Sequence, residues 1–442
     1  MNICIDAHII TLVGGLERFQ ANLANAMARR GHDVSLFTFA PQGSRPHFDI
    51  DPAVSVVYYL FSGYPEHIPG LRRQILACRP DVFVSPASYN NHLLWCAALE
   101  GTGIPWVYSE HNDPKIIQTE RWNMHERSAA LVAADRIHLL LESYSFSVPD
   151  VARDRVRIIP NPVCIPIITG KPKLDDARVL LAMGRLAAPK QHWLLLDAFA
   201  RLAPDFPQWR LDIWGDGEER SRLLGDIERL GLQGRACLHG LTATPEQQYA
   251  GADVFCIPSR HEGFPLVVIE AMSHGLPVAG FAGCAAVGGI IKPGETGLLA
   301  PEMTAQSLAG CLRPLMENAN LRLRMGEHAR EAAMAYDPER VFDAWESLLA
   351  ESAACKGLTR LQRCLSTDEA EIARHGRLLR KILLRGDVLL RDGWLRRLLV
   401  RHFPSLYNLL KNLKNTVKSS RAWPIIRPCY SFLKNIKNSF LQ

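Results

Sequence analysis

Short apolar runs alternate with helix-length stretches along this chain, and the alternation occurs twice. In the first half the strand-like runs are Ile3–Ala7, Val34–Phe39, Val54–Leu60, Val82–Ser85, Trp106–Ser109 and Ile137–Leu141, with helix-like stretches such as Leu16–Arg29 and Leu71–Cys78 between them. Gly31 stands just past the first helix, where a glycine commonly ends one. Apolar strands separated by helices predict a parallel sheet covered on both faces. After Ile159-Pro160-Asn161-Pro162-Val163 and a further Pro/Gly-bearing stretch, Ile165–Pro172, the pattern restarts. Val179–Met183, Trp209–Trp214, Ala236–His239, Val254–Pro258, Pro277–Gly280 and Gly297–Leu299 read as a second set of strands. The expected fold class is therefore α/β, with two Rossmann-like domains, 1–163 and 164–354, facing each other across a cleft. A basic segment, 355–442, expected to be helical, follows. The last helical stretch before it, around Val341–Leu349, is free to fold back onto the first domain.

A chain of 442 residues has room for two cores. Its 11 cysteines are scattered singly, with no CxxC and no zinc-like Cys/His spacing, so free thiols in a reducing compartment are expected. No secretory pattern and no run approaching the ~20 apolar residues of a membrane span is found. The expected location is the cytoplasm, extending to the inner face of its membrane. The net charge of +6 conceals an asymmetry: residues 356–442 hold about 19 Lys and Arg against about 5 Asp and Glu, which leaves the remainder acidic.

The most chemical segment is Arg260-His261-Glu262-Gly263-Phe264-Pro265-Leu266-Val267-Val268-Ile269-Glu270-Ala271-Met272. Glu262 follows a strand, and Glu270 falls one or two turns into the next helix. Gly263 and Pro265 shape a tight turn at the helix start, where free backbone N–H groups and the helix dipole favour an anion. The segment can thus contact a phosphate through its backbone and sugar hydroxyls through its carboxylates; a helix cap with two solvated acids is the plain alternative. Met183-Gly184-Arg185-Leu186-Ala187-Ala188-Pro189-Lys190 also links a strand to a helix. There Arg185 and Lys190 can converge on a diphosphate and neutralise it as it leaves.

Weaker signals accompany these two. Gly14-Gly15 at the first strand–helix turn lets a ligand approach the backbone, or is an ordinary turn. Trp214-Gly215-Asp216-Gly217-Glu218 reads as a turn that shapes the cleft. In Ser109-Glu110-His111-Asn112 the histidine stands at a strand's carboxyl end, where it can hydrogen-bond a donor sugar or phosphate, or take a proton. Asp49-Ile50-Asp51 is a short acidic pair in a polar connection, and no metal site is expected there. Gly-x-Ser-x-Gly and the dinucleotide Gly-x-Gly-x-x-Gly are both missing.

Together these residues resemble the family-4 retaining glycosyltransferases of the GT-B fold, over about Met1 to Ala354. Glu262 and Glu270 match that family's Glu-x7-Glu signature. The resemblance implies that Glu262 contacts donor-sugar hydroxyls and Glu270 the nucleotide ribose. It implies that Gly263, Phe264, Pro265 and Leu266 offer backbone amides, that Arg185 and Lys190 hold the diphosphate, and that Gly14 and Gly15 form the glycine turn near acceptor and phosphates. Asn161-Pro162 matches the exit from the first domain, and His111 looks like the histidine beside the reacting sugar. Two departures stand out: Gln191 occupies a position where many relatives have Gly, and Ala285–Ile291, with Gly288 and Gly289, lacks an acidic or amide-bearing stretch.

The activity so implied is retaining, metal-independent transfer of a hexose-type sugar from a nucleotide-diphosphate sugar, UDP favoured over GDP, with no cofactor. The implied partners are that nucleotide sugar and a glycan or lipid-linked acceptor, in surface polysaccharide or lipid-linked oligosaccharide assembly. The basic segment suits an anionic membrane surface or a packing role equally. It carries no nucleic-acid motif, so no nucleic acid is expected. The rival readings are a sugar-nucleotide epimerase or a phosphorylase on the same fold, and a non-catalytic binding or scaffold protein.

Overall fold

The structure, a computed structural model, describes residues 1–12, 14–59, 68–86, 92–119, 121–168 and 178–355. The basic segment from residue 356 on, the end of the expected strand at Leu60 and the Pro/Gly end of the expected hinge lie outside the described residues. No helix among the described residues is long and apolar enough to cross a membrane. All nine cysteines among them are free thiols.

Two parallel sheets carry the chain. The first contains β1 (Asn2–Asp6), β2 (Asp33–Thr38), β3 (Ser55–Tyr58), β4 (Val82–Pro86), β5 (Trp106–Glu110), β6 (Arg136–Leu139) and β7 (Val156–Ile158), in the order β3-β2-β1-β4-β5-β6-β7. The second contains β8 (Arg178–Met183), β9 (Trp209–Trp214), β10 (Ala236–Gly240), β11 (Val254–Ile257), β12 (Val278–Phe281) and β13 (Gly297–Ala300), in the order β10-β9-β8-β11-β12-β13. Strand β7 was not expected from sequence: three half-buried residues at a sheet edge carry too little pattern to show as a strand.

In each sheet the chain runs outward from a first strand, returns, and continues on that strand's other side. The strand order therefore reverses between β1 and β4, and again between β8 and β11. Crevices beyond the carboxyl ends of strands at such points are where open α/β sheets bind ligands.

Helix Gly15–Arg29 follows β1 because Phe19, Leu23 and Met27 recur every four residues and form one buried stripe. It ends as expected at Gly31, whose φ of +83° a residue with a side chain adopts only under strain. Helix Pro338–Ala353 packs its Val341, Phe342, Trp345, Leu348 and Leu349 into the core of the first sheet. The chain thus crosses between sheets twice, and the Val163 N–H donates to the Tyr336 carbonyl at 2.9 Å, tying the two crossings together.

Candidate active site

The crevice at the β8/β11 reversal gathers most of the expected residues. Lys190 ends a short 3-10 turn after β8, and Glu262 lies in the loop after β11. Their side chains meet, Lys190 Nζ standing 2.6 Å from Glu262 Oε1, with Glu262 only 9% exposed. The Arg260 N–H donates to the Pro189 carbonyl at 2.9 Å, so the two loops are also joined by backbone. Arg185 is exposed and makes no side-chain hydrogen bond or ion pair among the described residues.

Glu270 enters on helix Leu266–Ser273, which is buried on every face from Val268 to Ser273. A carboxylate carried into such surroundings must be paired. Arg18 Nη1 donates to its Oε1 at 2.9 Å and the Tyr249 hydroxyl to its Oε2 at 2.8 Å. Arg18 belongs to helix Gly15–Arg29 on the first sheet, so this ion pair spans the cleft. The Tyr144 hydroxyl spans it as well, donating to the Gly263 carbonyl at 2.8 Å and to that of Glu262 at 3.1 Å. Sequence reasoning missed these partners. Arg18 left a trace, one helical turn past Gly14-Gly15, but neither tyrosine stands in a motif.

Close packing explains why Gly263 is glycine. A Cβ there would sit 2.0 Å from the His111 carbonyl oxygen and 3.3 Å from the Asn112 Cα. The first sheet's His111 loop and the second sheet's Glu262 loop therefore touch backbone to backbone. Gly15 faces Leu266, whose Cδ1 a Cβ would approach to 3.7 Å. At Gly14 the obstacle is only the Glu17 carboxylate, 2.2 Å from where a Cβ would lie. Phe264 packs edge-on against Tyr336, ring centroids 6.0 Å apart, and Pro265 caps the Leu266–Ser273 helix.

His111, at the end of β5, is partly buried, with its ring 4.7 Å from that of Phe19. Burial and the neighbouring His138 hold its pKa well below the usual histidine range, so the ring is neutral. Next to it, Glu110 is fully buried and accepts from Arg127 Nε at 2.9 Å, while Arg127 also holds the Ser147 carbonyl and hydroxyl.

Four sequence features take structural roles. Gly215 and Gly217, at φ +140° and +156°, lie against the Gly184–Leu186 loop; a Cβ on either would come within 1.9 Å of the Gly184 carbonyl or 2.5 Å of the Leu186 carbonyl. Gln191 adopts φ 49° and ψ 36°, the left-handed conformation that suits glycine, which accounts for the expected Gly. The Asp49 carbonyl accepts from Asn25 at 2.8 Å, and Asp51 opens the turn that follows, its Oδ1 accepting from the Ala53 N–H at 3.0 Å and its carbonyl from the Val54 N–H at 2.9 Å. A Cβ on Gly289 would meet Leu141 Cδ1 at 3.5 Å, and one on Gly288 the Ala282 carbonyl at 3.4 Å.

Among the described residues one trio has metal-like spacing, Asp212, Cys237 and His239, their ligand atoms within 4.8 Å of one another on β9 and edge strand β10. Asp212 is already held by Arg210 Nε at 3.0 Å and His239 Nε2 at 2.9 Å.

Residues 13–165 match the family described as Glycosyltransferase Family 4, and residues 167–332 match Glycosyl transferases group 1. The chain is a family-4-like glycosyltransferase. The glycosyltransferase is 26% identical over 343 residues to an uncharacterized glycosyltransferase of Haemophilus influenzae, covering 76% of this chain and 96% of that one. It is 24% identical over 350 residues to a Campylobacter jejuni alpha-1,4-N-acetyl-D-galactosaminyltransferase named for an undecaprenol-diphosphate-linked substrate, covering 76% of this chain and 95% of the relative. Among solved structures it resembles Anabaena Alr3699/HepE in complex with UDP and glucose, with a TM-score of 0.67 at 18% identity over 79% of this chain and 99% of that one. That likeness establishes the GT-B fold for the glycosyltransferase.

Proposed function

We propose that this glycosyltransferase moves a hexose-type sugar from a nucleotide-diphosphate sugar to a glycan or lipid-linked acceptor, with retention and without a metal. The observation that carries this reading is the meeting of Glu262 with Lys190 at the strand-order reversal, beside the Gly263 contact on His111. Carboxylate and cation thus meet where the second sheet's Glu262 loop touches the His111 backbone of the first.

In this reading Glu270 binds the nucleotide ribose. Its oxygens accept from Arg18 and Tyr249, yet an ionised carboxylate offers about four acceptor positions, so the diol can add bonds without displacing both partners. Glu262 contacts donor-sugar hydroxyls in the same way beside Lys190. The N–H groups of Gly263, Phe264 and Val267 hold phosphate oxygens at the start of helix Leu266–Ser273, where those of Leu266 and Val268 already donate to the Phe264 and Pro265 carbonyls. Lys190 and the exposed Arg185 neutralise the departing diphosphate, the work a metal does elsewhere. Gly14 and Gly15 let phosphates or acceptor approach the first helix.

The chemical step is a front-face displacement. The acceptor oxygen forms its bond to the anomeric carbon on the face from which the diphosphate oxygen leaves with the bonding pair. The acceptor's proton passes to that leaving phosphate. The protein supplies orientation and charge stabilisation, and cleft closure excludes water. UDP is favoured over GDP because the similar Anabaena structure holds UDP. Surface polysaccharide or lipid-linked oligosaccharide assembly is the favoured setting because the Campylobacter relative is named for such a substrate. A cytoplasmic location, at the inner membrane face, suits that setting.

The test is a binding screen of UDP, GDP, ADP and their common sugars in chelator by thermal shift, with Glu270→Ala alongside. One nucleotide should stabilise the wild type, and the variant should lose at least tenfold in affinity. A response that requires divalent metal, or no response to any nucleotide, sinks the reading. The anomeric configuration of the product by NMR then tests retention.

A further inference from the structure

A chain of hydrogen bonds runs from His111 into the first sheet. His111 Nε2 lies 2.8 Å from Ser109 Oγ, and Ser109 Oγ lies 2.8 Å from His138 Nδ1. His138 Nε2 lies 2.7 Å from the Ile159 carbonyl oxygen, where the first crossing between the sheets begins. Ser109 and His138 are register partners on β5 and β6, which fixes their approach, and both are buried. The His138 ring lies 4.4 Å from that of Trp345 and the His111 ring 4.7 Å from that of Phe19, so both ring planes are held by packing.

The far end of this chain sets the near end. A carbonyl oxygen only accepts, so Nε2 of His138 carries a proton and donates it. In a neutral ring the other nitrogen then has none, so Nδ1 of His138 accepts from Ser109. That uses the only proton of the Ser109 hydroxyl, whose oxygen must accept from Nε2–H of His111. Neutral His111 is left with a bare lone pair on Nδ1. Burial holds His138 neutral, with its pKa lowered to about 4. Among the described residues Nδ1 of His111 has no hydrogen-bond partner.

We propose that Ser109 and His138 are positioning residues that fix His111 as the tautomer protonated on Nε2, leaving Nδ1 as an acceptor for a hydroxyl of the donor sugar. A bare nitrogen lone pair attracts an O–H and repels a phosphate oxygen, so the relay selects the sugar from the two partners open to His111. The role of the acceptor nitrogen rests on the donor site proposed above; the tautomer itself does not.

The test uses the full chain labelled with 15N-histidine and long-range 1H–15N correlation spectra, without substrate. His111 should show a protonated Nε2 and an unprotonated Nδ1. Ser109→Ala cuts the chain without adding bulk, and His138→Phe keeps the ring against Trp345. Each should give a mixture of His111 tautomers and lower kcat about tenfold, with the Kd for the nucleotide unchanged. A proton on Nδ1 in the wild type, or one unchanged tautomer in both variants, would overturn the relay. If the spectra behave as stated while Ser109→Ala turns over at the wild-type rate, the relay stands and the sugar contact at His111 falls.

Discussion

Replacing Gly263 by alanine tests the closed cleft most directly. The added Cβ would begin 2.0 Å from the His111 carbonyl oxygen. Ordinary contact for carbon is ~3.5 Å, so the two loops must separate by roughly 1.5 Å. The obstacle is backbone, and the Asn112 Cα stands behind it at 3.3 Å, so no rotamer relieves the clash. Separation withdraws Glu262 and Lys190 from His111, and misplacement of about 1 Å costs on the order of 100-fold in rate. Gly263 is half-buried in a loop rather than inside a strand or helix, so a fall in Tm of no more than a few degrees is expected. The assay is sugar transfer with the donor found in the binding screen, beside nucleotide calorimetry and a thermal melt. Transfer should fall about 100-fold, and nucleotide affinity, which draws on the same turn, should fall by less than transfer does. Gly14→Ala is a control for the melt alone, because its obstacle is the free end of the Glu17 side chain, and its Tm should not change. A Gly263→Ala enzyme at full rate would refute the argument that the two loops work in contact.

Arg127→Ala leaves the fully buried Glu110 without its cation, a change that typically costs about 3–5 kcal/mol; a chemical-denaturation midpoint should show it, and a loss under 1 kcal/mol would contradict the pairing. His192 is 4% exposed with no well-formed hydrogen bond at either ring nitrogen, and burial, aided by the Lys190 charge, outweighs the nearby Arg185 backbone and lowers its pKa to about 4. Its folded pKa lies below the unfolded value near 6.5, so the unfolded chain binds more protons between these values. Stability from this group is complete above about pH 6.5 and is lost as pH falls towards 4, by up to about 3 kcal/mol. His192→Leu should match or exceed the wild type at pH 7 and lose less stability on acidification; identical pH slopes would count against it. Gln191→Gly removes the left-handed strain of about 1 kcal/mol while adding chain entropy to the unfolded state, so its Tm should stay within a few degrees of wild type, and a large loss would mean that the glutamine side chain has a role.

The sequence alone determined the two α/β units, because a parallel strand buried on both faces writes itself as a continuous apolar run. It also marked Glu262, Lys190 and Gly263, because strand ends and tight turns leave local signatures in residue type. It set Glu262 and Glu270 eight positions apart, with seven residues between them, but not their partners, since Arg18 and Tyr249 come from elements distant in the chain. Strand β7 was too short to leave a period. The return of helix Pro338–Ala353 to the first core was decided by which sheet still had apolar surface to cover, and no local pattern encodes that. Only the tertiary structure turned His138 from a residue in an apolar strand into the neighbour of Ser109, because register places residues 29 positions apart side by side. Local chemistry is written locally, whereas pairing across the cleft and along the sheet depends on how separate elements pack.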